Sequence, residues 1–290
     1  MEFTKTRIAP TPSGFLHIGN VLSFSLTASM ARDTGASILL RVDDLDRDRV
    51  EPAFLEDIFE TLRFLDLPWD EGPMDAGDFE QSWSQMRRME LYARALGVLR
   101  ASGMVFACSC SRAQLASASR DGGYPGTCRD RGLSLDAPDV NWRIRSEGRE
   151  LPVEMRDFVV RKKNGFPAYQ LTSVMDDIHF GVDVIARGED LLASTLGQLY
   201  LADVLLVAGM AEAAVFKKTT FFHHALLTGE NGEKLSKSAG STSIQYLRQQ
   251  GASPADIFSL IARSVGWEEP VPDWYRLATL LFARGYGPVQ

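Results

Sequence analysis

The chain is expected to fold as a doubly wound α/β unit around a parallel sheet, interrupted by an insertion and followed by a helical segment. Three observations carry this expectation. A strand-like start passes through the small-residue turn Pro12-Ser13-Gly14 into an apolar helical run and then a second apolar strand, the order of a βαβ unit. Between Cys108 and Arg149 the periodicity gives way to short Gly- and Arg-rich pieces, as in an insertion rather than a continuation of a sheet. Helical spacing returns over residues 191–207 and a strand is expected over 215–222, which makes a second βαβ half.

Taken in order, residues 21–32 read as a buried helix stopped by Gly35, and residues 37–42 as a buried strand. Asp43, Asp44 and Asp46 then fall just past a strand end, where open parallel sheets place their ligands. Pro52 suits a first helical turn, and Leu55, Ile58, Phe59, Leu62 and Leu65 recur at helical spacing, so a core-facing helix follows. Asn164-Gly165 between two strand-like runs in residues 158–175 signals a hairpin. Ser253-Pro254 reads as cap and first turn of a late helix with Ile257, Leu260 and Ile261 on its inner face.

Bulk properties narrow the classes. With 290 residues the chain can bury a sizeable core, and a net charge of −7 excludes a generally basic coat, so a nucleic-acid partner must be met by a local patch. Arg143, Arg145, Arg149, Arg156, Arg161, Lys162 and Lys163 are the candidates, weighed against an ordinary solvated face. No apolar run reads as membrane-spanning and the start lacks a signal-peptide pattern, so a cytoplasmic protein without a membrane partner is expected. Three cysteines within a short stretch fit a metal site better than a disulfide framework.

Two segments carry chemistry. The turn ending in His17-Ile18-Gly19 opens a helix whose N-terminus offers unpaired N–H groups and partial positive charge. Far along the chain, Lys234-Leu235-Ser236-Lys237-Ser238 supplies lysines suited to neutralising phosphate oxygens as charge builds in a transition state. Together they suit a protein that holds ATP while its α-phosphate is attacked. His223-His224 reads as the end of a strand lining that nucleotide rather than a metal pair, and no Ser-His-Asp arrangement is suggested.

Residues 7–14, Arg-Ile-Ala-Pro-Thr-Pro-Ser-Gly, with His17-Ile18-Gly19 and the Lys234–Ser238 signature, resemble the glutamyl group of class I aminoacyl-tRNA synthetases over nearly the whole chain. The resemblance implies a class I synthetase α/β fold, Rossmann-like, with a zinc-stapled insertion and a C-terminal helical segment. It divides the chain into a first catalytic half (1–105), an insertion with zinc site and acceptor-facing hairpin (106–185), a second catalytic half (186–226), and the lysine loop with the helical segment (227–290). It places Pro12, His17, Gly19, Lys234, Ser236 and Lys237 at ATP, with His17, Lys234 and Lys237 acting in catalysis. Arg7, Ala9, Thr11, Asp43, Tyr169 and Arg187 would hold the amino acid, Arg7 meeting a side-chain carboxylate through its planar fork, which points to an acidic substrate. The family has Glu at the position of Asp43 and commonly Ser at that of Thr11.

Cys108-Ser109-Cys110, then Tyr124 and Cys128, resembles the zinc site of this family, with the tyrosine hydroxyl completing four ligands. Idle buried thiols are the plainer reading, and His179 a more distant substitute for Tyr124. Only about fifty residues follow the lysine signature, too few for the family's anticodon-binding region. That shortness resembles the members which activate L-glutamate with ATP and Mg²⁺ without tRNA and pass it to queuosine in tRNA(Asp), here as a monomer. The alternatives are a related adenylating enzyme for another amino acid or acceptor, and a non-catalytic tRNA-binding paralogue.

Overall fold

Strand β1 (Lys5–Ile8) leads into helix α1 (Ile18–Thr34) and returns as β2 (Ser37–Leu40). This computed structural model describes residues 2–119, 121–227 and 243–286. Helix α2 (Pro52–Phe64), a single turn α3 (Ala76–Asp78) and α4 (Met89–Ala101) follow, then β3 (Val105–Cys108), α5 (Arg112–Ala118), β4 (Asn141–Ile144) and β5 (Val159–Arg161). Next come α6 (Tyr169–Phe180), β6 (Val184–Gly188), α7 (Leu192–Val207), α8 (Ala213–Phe216) and β7 (Thr220–His224). Helices α9 (Ile244–Gln249), α10 (Pro254–Ser264) and α11 (Trp274–Leu281) complete the described chain.

The chain divides into two compact units. The first comprises Met1–Arg87, Val182–Asp190 and Thr220–Gln290. Here β1 pairs in parallel with β2, from Lys5 opposite Ser37 to Ile8 opposite Leu40, and β6 with β7, from Val184 opposite Thr220 to Gly188 opposite His224. Asp183 joins the two pairs. Its N–H donates to Lys5 O at 3.0 Å, while its carboxylate accepts from Thr4 N at 2.8 Å, Thr4 Oγ1 at 2.6 Å and Lys5 N at 3.0 Å. Helix α1 is apolar around most of its circumference because it is covered on several sides, sharing one core with Ile8, Leu40, Ile58, Leu62, Ile257, Ile261, Leu277 and Leu281. It ends where Gly35 takes φ 74°, a left-handed cap that an L side chain resists.

The second unit comprises Arg88–Gly181 and Leu191–Thr219. Its sheet is antiparallel, in the order β3-β4-β5, with the register shifting between Trp142 and Arg143. A buried network ties α4 to α6. Arg88 forks onto Asp176 at 2.8 and 3.2 Å, and Tyr92 Oη donates to the same carboxylate at 2.7 Å.

Three sequence expectations are corrected. The Asn164-Gly165 turn forms, with Lys162 N donating to Phe166 O at 2.7 Å, but its second arm is a lone bridge at Pro167 followed by α6. Proline offers no N–H to a ladder, and the residues beyond it bury a helical face. The strand expected from Val215 starts instead at Thr220, Val215 lying in α8. Glu189–Val207 is long and apolar enough, by length and composition, to cross a membrane. Half of that stretch is buried, with Leu201, Ala202 and Leu205 in the core, so its hydropathy serves packing.

Candidate active site

His17 caps α1. Its Nδ1 accepts from Gly19 N at 3.1 Å, and Asn20 Oδ1 accepts from His17 N at 3.0 Å, a reciprocal capping box. An N–H can only donate, so Nδ1 is the acceptor and the neutral ring carries its proton on Nε2. Gly19 makes room for this. A Cβ there would lie 3.0 Å from His17 Cε1 and 3.1 Å from Nδ1. Asn20 is the residue that completes the cap. The Leu16 carbonyl, just before His17, accepts from Ile244 N at 2.7 Å.

The carboxyl ends of neighbouring strands gather the next group. Arg7 lies in β1, Asp43 three residues beyond β2, and Arg187 in β6, all within the first unit and all buried. Arg41 N donates to Ile8 O and Asp43 N to Pro10 O, each at 2.9 Å, which carries the β1–β2 alignment past the last paired residues. Arg41 then forks onto Asp43, Nε to Oδ1 at 2.8 Å and Nη2 to Oδ2 at 3.0 Å, at 3% and 8% exposure. Asp44 next door is occupied structurally, accepting from Ser84 Oγ at 2.6 Å, Gln85 N at 2.9 Å and Arg47 Nη1 at 2.8 Å. Arg187 lies over the Phe221 ring at 5.0 Å. Of the other candidates, Ala9 is half-buried, Thr11 exposed and Pro12 buried in the first unit, whereas Tyr169 opens α6 in the second, 44% exposed. Lys234, Ser236 and Lys237 lie outside the described residues.

The two histidines close β7. His224 Nδ1 donates to Ala225 O at 2.9 Å, which leaves Nε2 to accept from Ser23 Oγ of α1 at 2.6 Å. Burial, then the Arg187 charge and His224, holds the His223 imidazole down at about 4.

Cys108, Cys110 and Cys128 are buried, with sulfurs all within 4.8 Å of one another and Cys110–Cys128 at 3.5 Å. Tyr124 Oη donates to Cys108 Sγ at 3.5 Å and accepts from Cys128 N at 2.9 Å. Tetrahedral zinc with Zn–S bonds of about 2.3 Å sets its sulfurs about 3.8 Å apart, so this donor set fits zinc. Burial pushes the Cys110 thiol up to about 11. It acts the same way on Cys128, but the Ser109 N–H and its neighbours' hydrogen bonds bring that thiol down to about 7. Asp157, buried at φ 44°, braces this loop: it accepts from Arg129 Nε at 2.7 Å, Ser146 N at 2.8 Å and Ser146 Oγ at 3.0 Å. Nothing in the sequence marked it.

Much of the basic run is also engaged locally. Arg143 lies 4.0 Å over the Tyr124 ring and donates to Asp157 O at 2.8 Å, Arg145 donates to Arg129 O at 3.0 Å, and Arg156 pairs with Asp121 at 2.8 Å. Arg161 covers Trp142 at 5.0 Å and Lys163 Nζ donates to Ser109 O at 2.8 Å. Arg149 remains exposed.

Residues 4–132 and 138–271 match the family described as "tRNA synthetases class I (E and Q), catalytic domain". A protein of Nitratidesulfovibrio vulgaris named Glutamyl-Q tRNA(Asp) synthetase is 36% identical over 92% of this chain and 87% of its own length. One of that name from Parasynechococcus marenigrum is 37% identical over 91% and 84%. A Glutamate--tRNA ligase from an Anaeromyxobacter species is 31% identical, with this chain spanning 59% of it. Among solved structures, the glutamate-tRNA synthetase of Elizabethkingia anophelis superposes with TM-score 0.75 at 20% identity over 99% of this chain and 68% of that one, a likeness of fold. The chain is thus an enzyme, and it belongs to the class I tRNA synthetases of the glutamate and glutamine type.

Proposed function

We propose that the enzyme activates L-glutamate with ATP and Mg²⁺, without tRNA, and then passes the glutamyl group to queuosine at the wobble position of tRNA(Asp). The observation that carries this reading is the likeness to two proteins named Glutamyl-Q tRNA(Asp) synthetase, at 36% and 37% identity. The chain spans 87% and 84% of their lengths.

In this reading the α-carboxylate of glutamate attacks the α-phosphorus of ATP and pyrophosphate leaves. His17 donates from Nε2 to a phosphate oxygen at the α1 N-terminus, where the helix dipole adds positive potential, and Lys234 and Lys237 neutralise the charge that builds as pyrophosphate departs. Arg7 pairs with the side-chain carboxylate, and Arg187 and Tyr169 hold the rest of the amino acid. Asp43 receives the α-ammonium on lone pairs beside its Arg41 fork. The acceptor hydroxyl of queuosine then attacks the glutamyl carbonyl and AMP leaves, so no covalent enzyme intermediate is needed. Cys108, Cys110, Tyr124 and Cys128 would hold a zinc ion that cross-links a segment with little core of its own.

Glutamate-dependent exchange of pyrophosphate into ATP tests the first step. It should proceed with purified enzyme alone, and His17→Ala or Lys237→Ala should each raise the barrier by about 2–4 kcal/mol. Exchange that starts only when tRNA is added would overturn the tRNA-independent step. A second reading, activation of another amino acid, is favoured by Asp43, which is shorter than the family's Glu and held by Arg41. An amino-acid panel in which L-glutamate is not the fastest substrate would favour it.

A further inference from the structure

Asp57 stands on α2, a helix to which neither ATP motif belongs, yet its partner Arg248 lies on α9, whose cap Ser243 bridges His17. The Asp57 side chain is 3% exposed, among the buried Leu55, Ile58, Phe59, Thr61 and Leu62. Oδ1 accepts from Arg248 Nη2 of α9 at 2.5 Å, and Oδ2 from Thr61 Oγ1 at 3.3 Å. Arg248 also reaches Glu60 at 3.2 Å and lies 5.8 Å over the Phe64 ring, so its guanidinium is fixed on α2 by three contacts.

The circuit closes through the backbone. Ser243, the cap of α9, bridges His17, and Ile244 N donates to Leu16 O. The turn at Leu16 and His17 is thus held by the start of α9, and α9 in turn is pinned to α2 by the Asp57–Arg248 pair. Lys237 precedes Ser243 by six residues. A buried carboxylate costs free energy unless it is paired, and here the pairing fixes on α2 the helix whose first residues hold the turn that carries His17.

We infer that the Asp57–Arg248 pair is a positioning device that fixes α9 on α2 and so holds the α9 start against the His17 turn, keeping His17 in the geometry the transition state requires. Neither residue touches substrate. The inference rests on the proposed role of His17 at ATP. Because a small misplacement costs the transition state more than the ground state, loss of the pair should lower kcat while sparing the KM for ATP.

Steady-state pyrophosphate exchange with the full chain tests this, using Arg248→Met, Asp57→Asn, the double variant and Arg248→Lys, each checked for folded fraction at the assay temperature by circular dichroism. Each of the first two should lose about tenfold to a hundredfold in kcat with KM for ATP within about threefold. The double variant should lose no more than the worse single one, and Arg248→Lys should recover part of the rate. Folded variants with unchanged kcat, multiplicative losses in the double variant, or losses that follow the unfolded fraction would each overturn the inference. If His17→Ala leaves wild-type exchange unaffected, the fault lies with the assignment of His17. A His17-sensitive enzyme indifferent to Arg248→Met refutes only the positioning role.

Discussion

At Gly19 a single hydrogen atom in place of a methyl group lets the His17 ring fold back onto the N-terminus of α1. Gly19→Ala should push the ring off its N–H and lower pyrophosphate exchange by about tenfold, with the melting temperature nearly unchanged; an equally active variant would show the close approach to be dispensable. At Asp43, substitution by Asn should weaken use of glutamate by about 1–3 kcal/mol in kcat/KM, because a charge-assisted contact is lost, whereas Glu should be tolerated or improve it. An unchanged kcat/KM in Asp43→Asn would remove Asp43 from the amino-acid site. His17, Gly19, Arg7 and Arg187 were legible because a motif of fixed spacing announces them. Asp57 and Asp157 were not, since each acts on an arginine brought near only by the fold, and Arg41 and Asn20 were not, since they act on close neighbours through a local backbone course that no motif announced. Asp57 did leave a trace, as a carboxylate among the buried positions of an amphipathic helix; Arg248 left none.

Along β7, His223 couples the strand end to acidity. An unfolded imidazole titrates near 6.5, whereas the folded one stays neutral to about 4. As pH falls through that window the unfolded chain takes up a proton that the native chain refuses, so stability declines, by about 1–2 kcal/mol after allowance for the partial exposure of this ring. His223→Gln should flatten the decline in urea midpoints measured from pH 7 to 4, and an undiminished slope would assign it to other groups. In the segment after β3, metal analysis should find about one zinc per chain, and Cys110→Ser should lower thermal stability by about 2–5 kcal/mol while glutamate-dependent exchange survives in the folded fraction. A metal-free preparation of equal stability would contradict that site. The amphipathic α2 and the long apolar runs of α1 and α7 were readable from the sequence. The second arm after Gly165 was not, because short apolar stretches suit strand and helix alike until burial decides between them.

Over the molecule as a whole, net charge hid more than it revealed. A chain of −7 meets its proposed RNA partner, and the basic run that seemed suited to the task spends much of its charge on aromatic rings, carbonyls and carboxylates. Glutamate transfer should therefore depend on queuosine in tRNA(Asp), and Arg149→Ala should weaken it more than Arg156→Ala, whose guanidinium already has Asp121; equal acceptance by tRNA lacking queuosine would assign the acceptor wrongly. The βαβ order was plain in the sequence, but its division into interleaved units was not, because the chain crosses between them where no Pro- or Gly-rich linker stands. That interleaving governs how the protein is born. Strand β1 ends at Ile8, yet β6, joined to it through Asp183, ends at Gly188 and β7 at His224. During synthesis the first strands must wait, with one edge open, while the ribosome makes the intervening segment. Nascent chains arrested before Gly188 should be cut readily within β1 and β2 by a protease, and chains extended past His224, once clear of the exit tunnel, should resist.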